Sequence, residues 1–178
     1  KDTIKDQSIH VPQELEQNLD HALAEWRKNY KKDPSCVQSG SYDLNLADSV
    51  YIQRLYSLPS EMELAYNPIV RSYIDMYAGR RKTSVEYMLT KGKYYFPLIE
   101  ETLDRYGLPL ELKFLPIIES ALNPIAKSRA GATGLWQFML RTGQMYDLEV
   151  NTLVDERKDP RKATEAAARY LRDLYNIY

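Results

Sequence analysis

One carboxylate, Glu119, closes the apolar run "LPIIES" and is followed at once by small and turn-forming residues, "ALNPIAKSRAGATG". Proton transfer is the chemistry such a group can do. On a helix over 110–120, residues 112, 115, 116 and 119 share one face, which sets Glu119 beside Leu112 and Leu115. A carboxyl group among apolar neighbours loses hydration of its charged form, so its pKa rises. A general acid needs that condition to hold its proton near neutral pH. Pro116 lacks an amide hydrogen and crowds the carbonyl of Leu112, so a bend is expected one turn before the carboxylate. The competing reading is that Glu119 ends its helix and turns outward, or pairs with Arg129 or Arg141.

The segment after Glu119 suits a ligand-facing loop. Gly131 and Gly134 permit close approach of a ligand to the backbone, and Gln137 stands between Trp136 and Phe138 in "GLWQFM". An amide beside aromatic surface matches a sugar, which has polar edges and an apolar face. Trp136, Phe138 and Met139 fit plain core packing equally well or better; Met139 follows Leu135 at helical spacing.

Bulk properties exclude several classes. The chain has 178 residues, 44% hydrophobic and 28% charged, with a net charge of −1. Near-neutrality argues against nucleic-acid binding, which needs a basic field; the short cluster "GRRK" at 79–82 reads as a solvated face. Cys36 is the only cysteine and His10 and His21 lie outside metal-ligand spacing, so neither a disulfide, a metal nor a cofactor is expected. No stretch approaches the roughly 20 apolar residues of a membrane span. The start at Lys1, without a charged-then-apolar leader, reads as a trimmed or mature segment.

The elements that must position Glu119 are helical throughout. Leu15, Leu19, Leu23, Trp26 and Tyr30 give a first helix, and a loop at 32–47 separates this N-terminal arm from the body. Asp48 is expected to cap a helix stopped by Pro59, and Asn67-Pro68 to open another ending at Gly79. A short helix at "TSVEYML" is followed by a longer one at "KYYFPLIEETLDRYG", with Phe96, Ile99, Leu103 and Tyr106 inward and Gly107 as its stop. Thr133 is expected to cap a helix through Leu135, Met139 and Tyr146. Asp159-Pro160 opens the last helix, with Ala163, Ala167, Tyr170, Leu171 and Leu174 along it. The fold class is all-α.

"ES" at 119–120, "NP" at 123–124, Ser128, "GATGLWQFM" at 131–139 and "TG" at 142–143 together resemble the catalytic segment of the lytic transglycosylases, the goose-lysozyme-like glycosidase family. The flanking text "YYFPLIEETLDRYGLPLELKFLPIIES" and "VDERKDPRKATEAAARYLRDLY" is similar to the membrane-bound type D subgroup, and the likeness runs from about Val50 to the end. It implies a lysozyme-like domain over 48–178 behind a helical arm and loop at 1–47. It also implies cleavage of peptidoglycan glycan strands between N-acetylmuramic acid and N-acetylglucosamine, in the periplasm or cell envelope, with a lipid anchor and outer-membrane association in the full-length protein. By the family's motif Glu119 is the single acid and base, closing a 1,6-anhydro ring on the muramoyl sugar. Ser128 orients Glu119 or the C6 hydroxyl, Gln137 and Met139 line sugar subsites, and Ser120, Asn123 and Gly134 shape or touch the site.

Two departures accompany the likeness. Leu140 stands where proline is frequent, and the family's later alanine–tyrosine–asparagine string is not found after Glu119. The "AYN" at 65–67 precedes the acid and reads as a helix start; the chain is therefore expected to be truncated at its C-terminal end. Asp155 and Glu156 read as a solvated turn and cap rather than a second catalytic carboxylate. A muramidase on the same fold and a non-catalytic glycan-binding module remain the alternatives.

Overall fold

The computed structural model describes residues 46–177 together with Ala24. The expected first helix, the cysteine, both histidines and most of the 32–47 loop lie outside the described residues. Helices follow in the order α1 (Asp48–Tyr56), α2 (Pro68–Asp75), a π-helical turn (Met76–Arg80) and α3 (Lys82–Arg105). After a 3-10 turn (Leu110–Phe114) come α4 (Leu115–Ser120), α5 (Leu140–Met145), a second 3-10 turn (Glu156–Lys158) and α6 (Pro160–Ile177). Extended pairing among the described residues is confined to isolated bridges, Lys127 with Thr133, Thr133 with Phe138 and Val150 with Asp155. Among the described residues the fold is all-α, as the periodicity implies.

Local signals place most helix ends. Asn67 Oδ1 accepts a hydrogen bond from the Val70 amide at 2.9 Å and Pro68 follows it, so the "AYN" at 65–67 is a cap. Asp48 is not a cap: Ala47 precedes the helix without a side-chain bond, and Asp48 instead receives Arg71 Nη1 at 2.8 Å. Gly79 lies inside the π-helical turn and does not adopt a left-handed stop. Gly107 does, at φ 63°; its amide reaches the Asp104 carbonyl at 2.9 Å and the Leu108 amide reaches Leu103 at 3.0 Å. Those two bonds satisfy carbonyls that the helix end would leave orphaned.

The two helices expected between 83 and 106 are one continuous α3 of 24 residues. Gly92 does not break it, because a Cβ there would stand 2.6 Å from the Phe96 ring. Packing of that ring against the bare backbone offsets the roughly 1 kcal/mol that glycine costs a helix interior.

α3 packs along α6, and this pair forms the frame of the site. Ile99 and Leu103 are fully buried with Leu108, Leu122, Leu135 and Ala168 around them. Each fully buried Leu or Ile contributes about 1.5–3 kcal/mol. α6 presents Ala163, Ala166, Ala167 and Ala168, all buried, which keeps its backbone close to its neighbours.

Candidate active site

Glu119 occupies the last turn of α4, and the chain reverses just behind it. Ala121 and Leu122 both take left-handed backbone angles, φ 51° and 58°, at a cost of about 1–2 kcal/mol per residue. Burial holds them there: Ala121 and Leu122 are almost wholly enclosed. The buried Ser120 hydroxyl lies 3.0 Å from the Pro116 carbonyl and 2.9 Å from that of Leu135, sharing its proton between them. The acid is thus pinned to the loop that follows it. Because Leu110–Phe114 is a 3-10 turn rather than α-helix, Leu112 turns to the core, and only Leu115 shares the side of Glu119.

The helix expected from Thr133 does not form before Leu140. Thr133 is bridged to Lys127 and Phe138, and two left-handed residues, Gly134 at φ 88° and Gln137 at φ 48°, turn the chain on itself. The Gln137 Nε2 donates to the carbonyls of Gly134 at 2.9 Å and Ala126 at 3.3 Å, which fixes a backbone that is unfavourable for a residue with a Cβ. Trp136 Nε1 donates to Thr164 Oγ1 at 3.0 Å, joining the turn to α6.

A groove of about 330 Å³ results. Leu115 and Glu119 form one side, residues 136–139 with Thr142 the floor, and Ala167, Tyr170 and Leu171 of α6 the opposite wall. Among the described residues Glu119 is the only carboxylate lining it. Glu119 ends its helix and is exposed, as the competing reading expected, but among the described residues neither Arg129, Arg141 nor any other arginine or lysine pairs with it. Its carboxyl is open to the groove, yet the walls strip enough water from it to push its pKa above the ordinary glutamate value. An unpaired acid with raised pKa, set in a cleft, has the properties of a proton donor.

Other expected site residues divide sharply. Gln137 and Met139 line the groove, Met139 being 46% exposed. Ser120 is buried in the structural tie described above and does not face a ligand. Asn123 Oδ1 accepts from the Ile125 amide at 3.1 Å, shaping the turn. Ser128 Oγ accepts from the Ala132 amide at 3.1 Å within its own loop; no hydrogen bond joins it to Glu119. At Gly134 the close approach is made by the protein itself: the Arg157 main-chain carbonyl fills its α-carbon face.

Two features were not foreseen. Tyr170, expected only as part of an apolar stripe, lines the groove, with its ring 6.4 Å from that of Phe138 and 5.5 Å from that of Tyr146. The "DERKDP" run is no solvated turn, since Arg157 is only 7% exposed. Asp155 grips its guanidinium with both carboxylate oxygens at 2.9 Å, and that ion pair holds the Asp155 pKa below the ordinary aspartate range. Asp155 is committed to Arg157 and stands outside the groove.

A helical domain that presents one desolvated glutamate in a groove floored by a tight left-handed turn is of the lysozyme-like class. Residues 97–178 match the Transglycosylase SLT domain. The chain is 30% identical over 118 residues to the membrane-bound lytic murein transglycosylase D of Escherichia coli (strain K12), covering 66% of this chain and 26% of that protein. The same figures hold for that enzyme in Escherichia coli O6:H1. A protein of Alteromonas sp. (strain M-1) whose name records tributyltin chloride resistance is 29% identical over 88 residues, 49% of this chain and 42% of its own length. The chain spans about a quarter of the length of the two murein transglycosylases it matches.

Proposed function

We propose that this chain is the catalytic region of a peptidoglycan lytic transglycosylase of the bacterial periplasm or cell envelope. The observation that carries the reading is the lone, unpaired Glu119 with raised pKa in a groove shared with Gln137, Met139 and Tyr170. Glu119 protonates the oxygen linking N-acetylmuramic acid to N-acetylglucosamine, and the bond to the muramoyl C1 breaks. The sugar's acetamide stabilises the positive charge left at C1. The resulting carboxylate then takes the proton of the muramoyl C6 hydroxyl, whose oxygen bonds to C1 and closes the 1,6-anhydro ring. One proton is given and one returned, so Glu119 ends as it began and no water is consumed. Glycosidases that use water ordinarily need two carboxylates flanking the bond, and Glu119 is alone among the residues lining the groove.

Gln137 Oε1 accepts none of the hydrogen bonds among the described residues, which leaves it to receive a sugar hydroxyl or acetamide N–H. No helix among the described residues is long and apolar enough to cross a membrane; attachment of the full-length protein to the outer membrane would come from a lipid anchor.

Mass spectrometry of purified peptidoglycan after digestion tests the reading. The unaltered protein yields 1,6-anhydro ends and Glu119→Gln yields none. Reducing muramoyl ends instead would make the protein a muramidase. Glycan binding without any cleavage would make it a binding module.

A further inference from the structure

We propose that Arg157 is a positioning residue for the sugar-binding turn, acting through Gln137. The residue lies twenty positions beyond Gln137, on the second 3-10 turn, and does not line the groove. Its side chain and its main chain both hold the 131–138 segment. Nη1 donates to the carbonyls of Gly131 and Phe138, each at 3.2 Å, so one guanidinium nitrogen clamps both ends of the turn. The Arg157 carbonyl lies against the α-carbon of Gly134, at the middle of the same turn, where any Cβ would collide with it. The aliphatic stem runs past Gly143 of α5, whose absent Cβ would stand 3.3 Å from Cγ and Cδ.

Gln137 is the residue this clamp aims. Its left-handed backbone is costly for a residue with a side chain. It follows Gly134 by three residues, donates to the Gly134 carbonyl, and precedes Phe138, the second carbonyl the guanidinium holds. A guanidinium is suited to this because its donors are fixed in one plane, and Asp155 sets that plane by a two-pronged bond. Lysine would keep the charge and lose the simultaneous grip on Asp155, Gly131 and Phe138.

The kinetic arm below rests on the transglycosylase reading; the exchange arm does not. In Arg157→Lys, amide hydrogen exchange at Thr133, Gly134 and Phe138 speeds up about tenfold, while amides around Ile99 and Leu103 in α3 keep their protection. Asp155→Asn, which keeps the arginine and removes the charge that orients it, shows the same pattern at smaller amplitude and serves if the lysine variant does not fold. With peptidoglycan as substrate, Arg157→Lys raises KM about tenfold at nearly constant kcat, and less than about twofold in a Gln137→Ala background. Unchanged exchange at the three turn amides overturns the proposal, as does an equal rise in KM in both backgrounds. If the unaltered protein fails to cleave peptidoglycan, the functional reading falls, and the exchange pattern still decides the role of Arg157.

Discussion

The main-chain oxygen of Arg157 sits 1.7 Å from the point where a Cβ on Gly134 would be built. Two segments separated by more than twenty residues meet there backbone to backbone, and the groove floor is what they jointly support. Gly134 also has φ 88°, so space and backbone angle both demand glycine.

Gly134→Ala is therefore expected to be among the most damaging single-methyl changes in the chain. Overlap with a backbone atom cannot be relieved by a rotamer change, and the loss should exceed about 3 kcal/mol. Urea unfolding followed by Trp fluorescence checks this. The same substitution at Gly131, where a Cβ meets nothing within 4 Å and only the φ of 89° opposes it, costs about 1–2 kcal/mol.

At the start of α6, Asp159 Oδ1 accepts from the amides of Arg161 at 2.8 Å and Lys162 at 3.0 Å, and Pro160 follows the cap directly. Asp159→Ala removes both acceptor bonds at an exposed position. The expected loss is about 1 kcal/mol, seen as a lowered urea midpoint with an unchanged slope. Because α6 carries the far wall of the groove, the fall in glycan cleavage with temperature should begin earlier in this variant.

What could be read from residues alone divides by range. The caps at Asn67 and Asp159 and the stop at Gly107 are decided within four or five residues, and they stand as the spacing implies. Glu119 stood out in the sequence because a carboxylate closes the apolar run "LPIIES", although the 3-10 turn leaves only Leu115 of the expected face beside it. Arg157 was not: "DERKDP" carries every mark of a solvated turn, and its burial follows only from carbonyls at 131 and 138. The helix expected from Thr133 failed for the same reason. Left-handed angles at Gly134 and Gln137 are imposed by distant partners, against the local propensity of "GLWQFM". Ser128 and Gly134 were expected at the site; the Ser128 hydroxyl accepts from the Ala132 amide within its own loop, and the Arg157 carbonyl lies against the Gly134 α-carbon.

Tyr170 offers the groove a 37% exposed side chain whose hydroxyl makes none of the hydrogen bonds among the described residues. On the proposed function, Tyr170→Phe removes a hydroxyl within reach of a glycan in the groove and should raise KM a few-fold, by about 0.5–1.5 kcal/mol. Tyr170→Ala also removes the apolar face that a sugar ring would rest on, and should raise KM by at least about tenfold. If both variants match the unaltered protein in KM, the far wall of the groove does not touch substrate.

Glu119 links rate and stability to pH with opposite consequences. Its pKa is raised in the folded chain because its ionised form is desolvated. The folded state therefore binds the proton more tightly than the unfolded state, and stability falls as pH rises from the ordinary glutamate value through the raised one, then levels off. Glu119→Gln lacks this dependence, so its stability relative to the unaltered protein should be greater at about pH 8 than at about pH 4. In the proposed mechanism the same proton is given to the glycosidic oxygen, so kcat/KM should fall on the alkaline side as pH passes the raised value. In Glu119→Gln turnover should drop by about 10²–10⁴-fold or more at every pH. Paired urea titrations and initial rates across the pH range check both limbs. Coincident midpoints would identify one carboxyl as the source of both, whereas an alkaline limb surviving in a slow Glu119→Gln enzyme would assign the proton to another group.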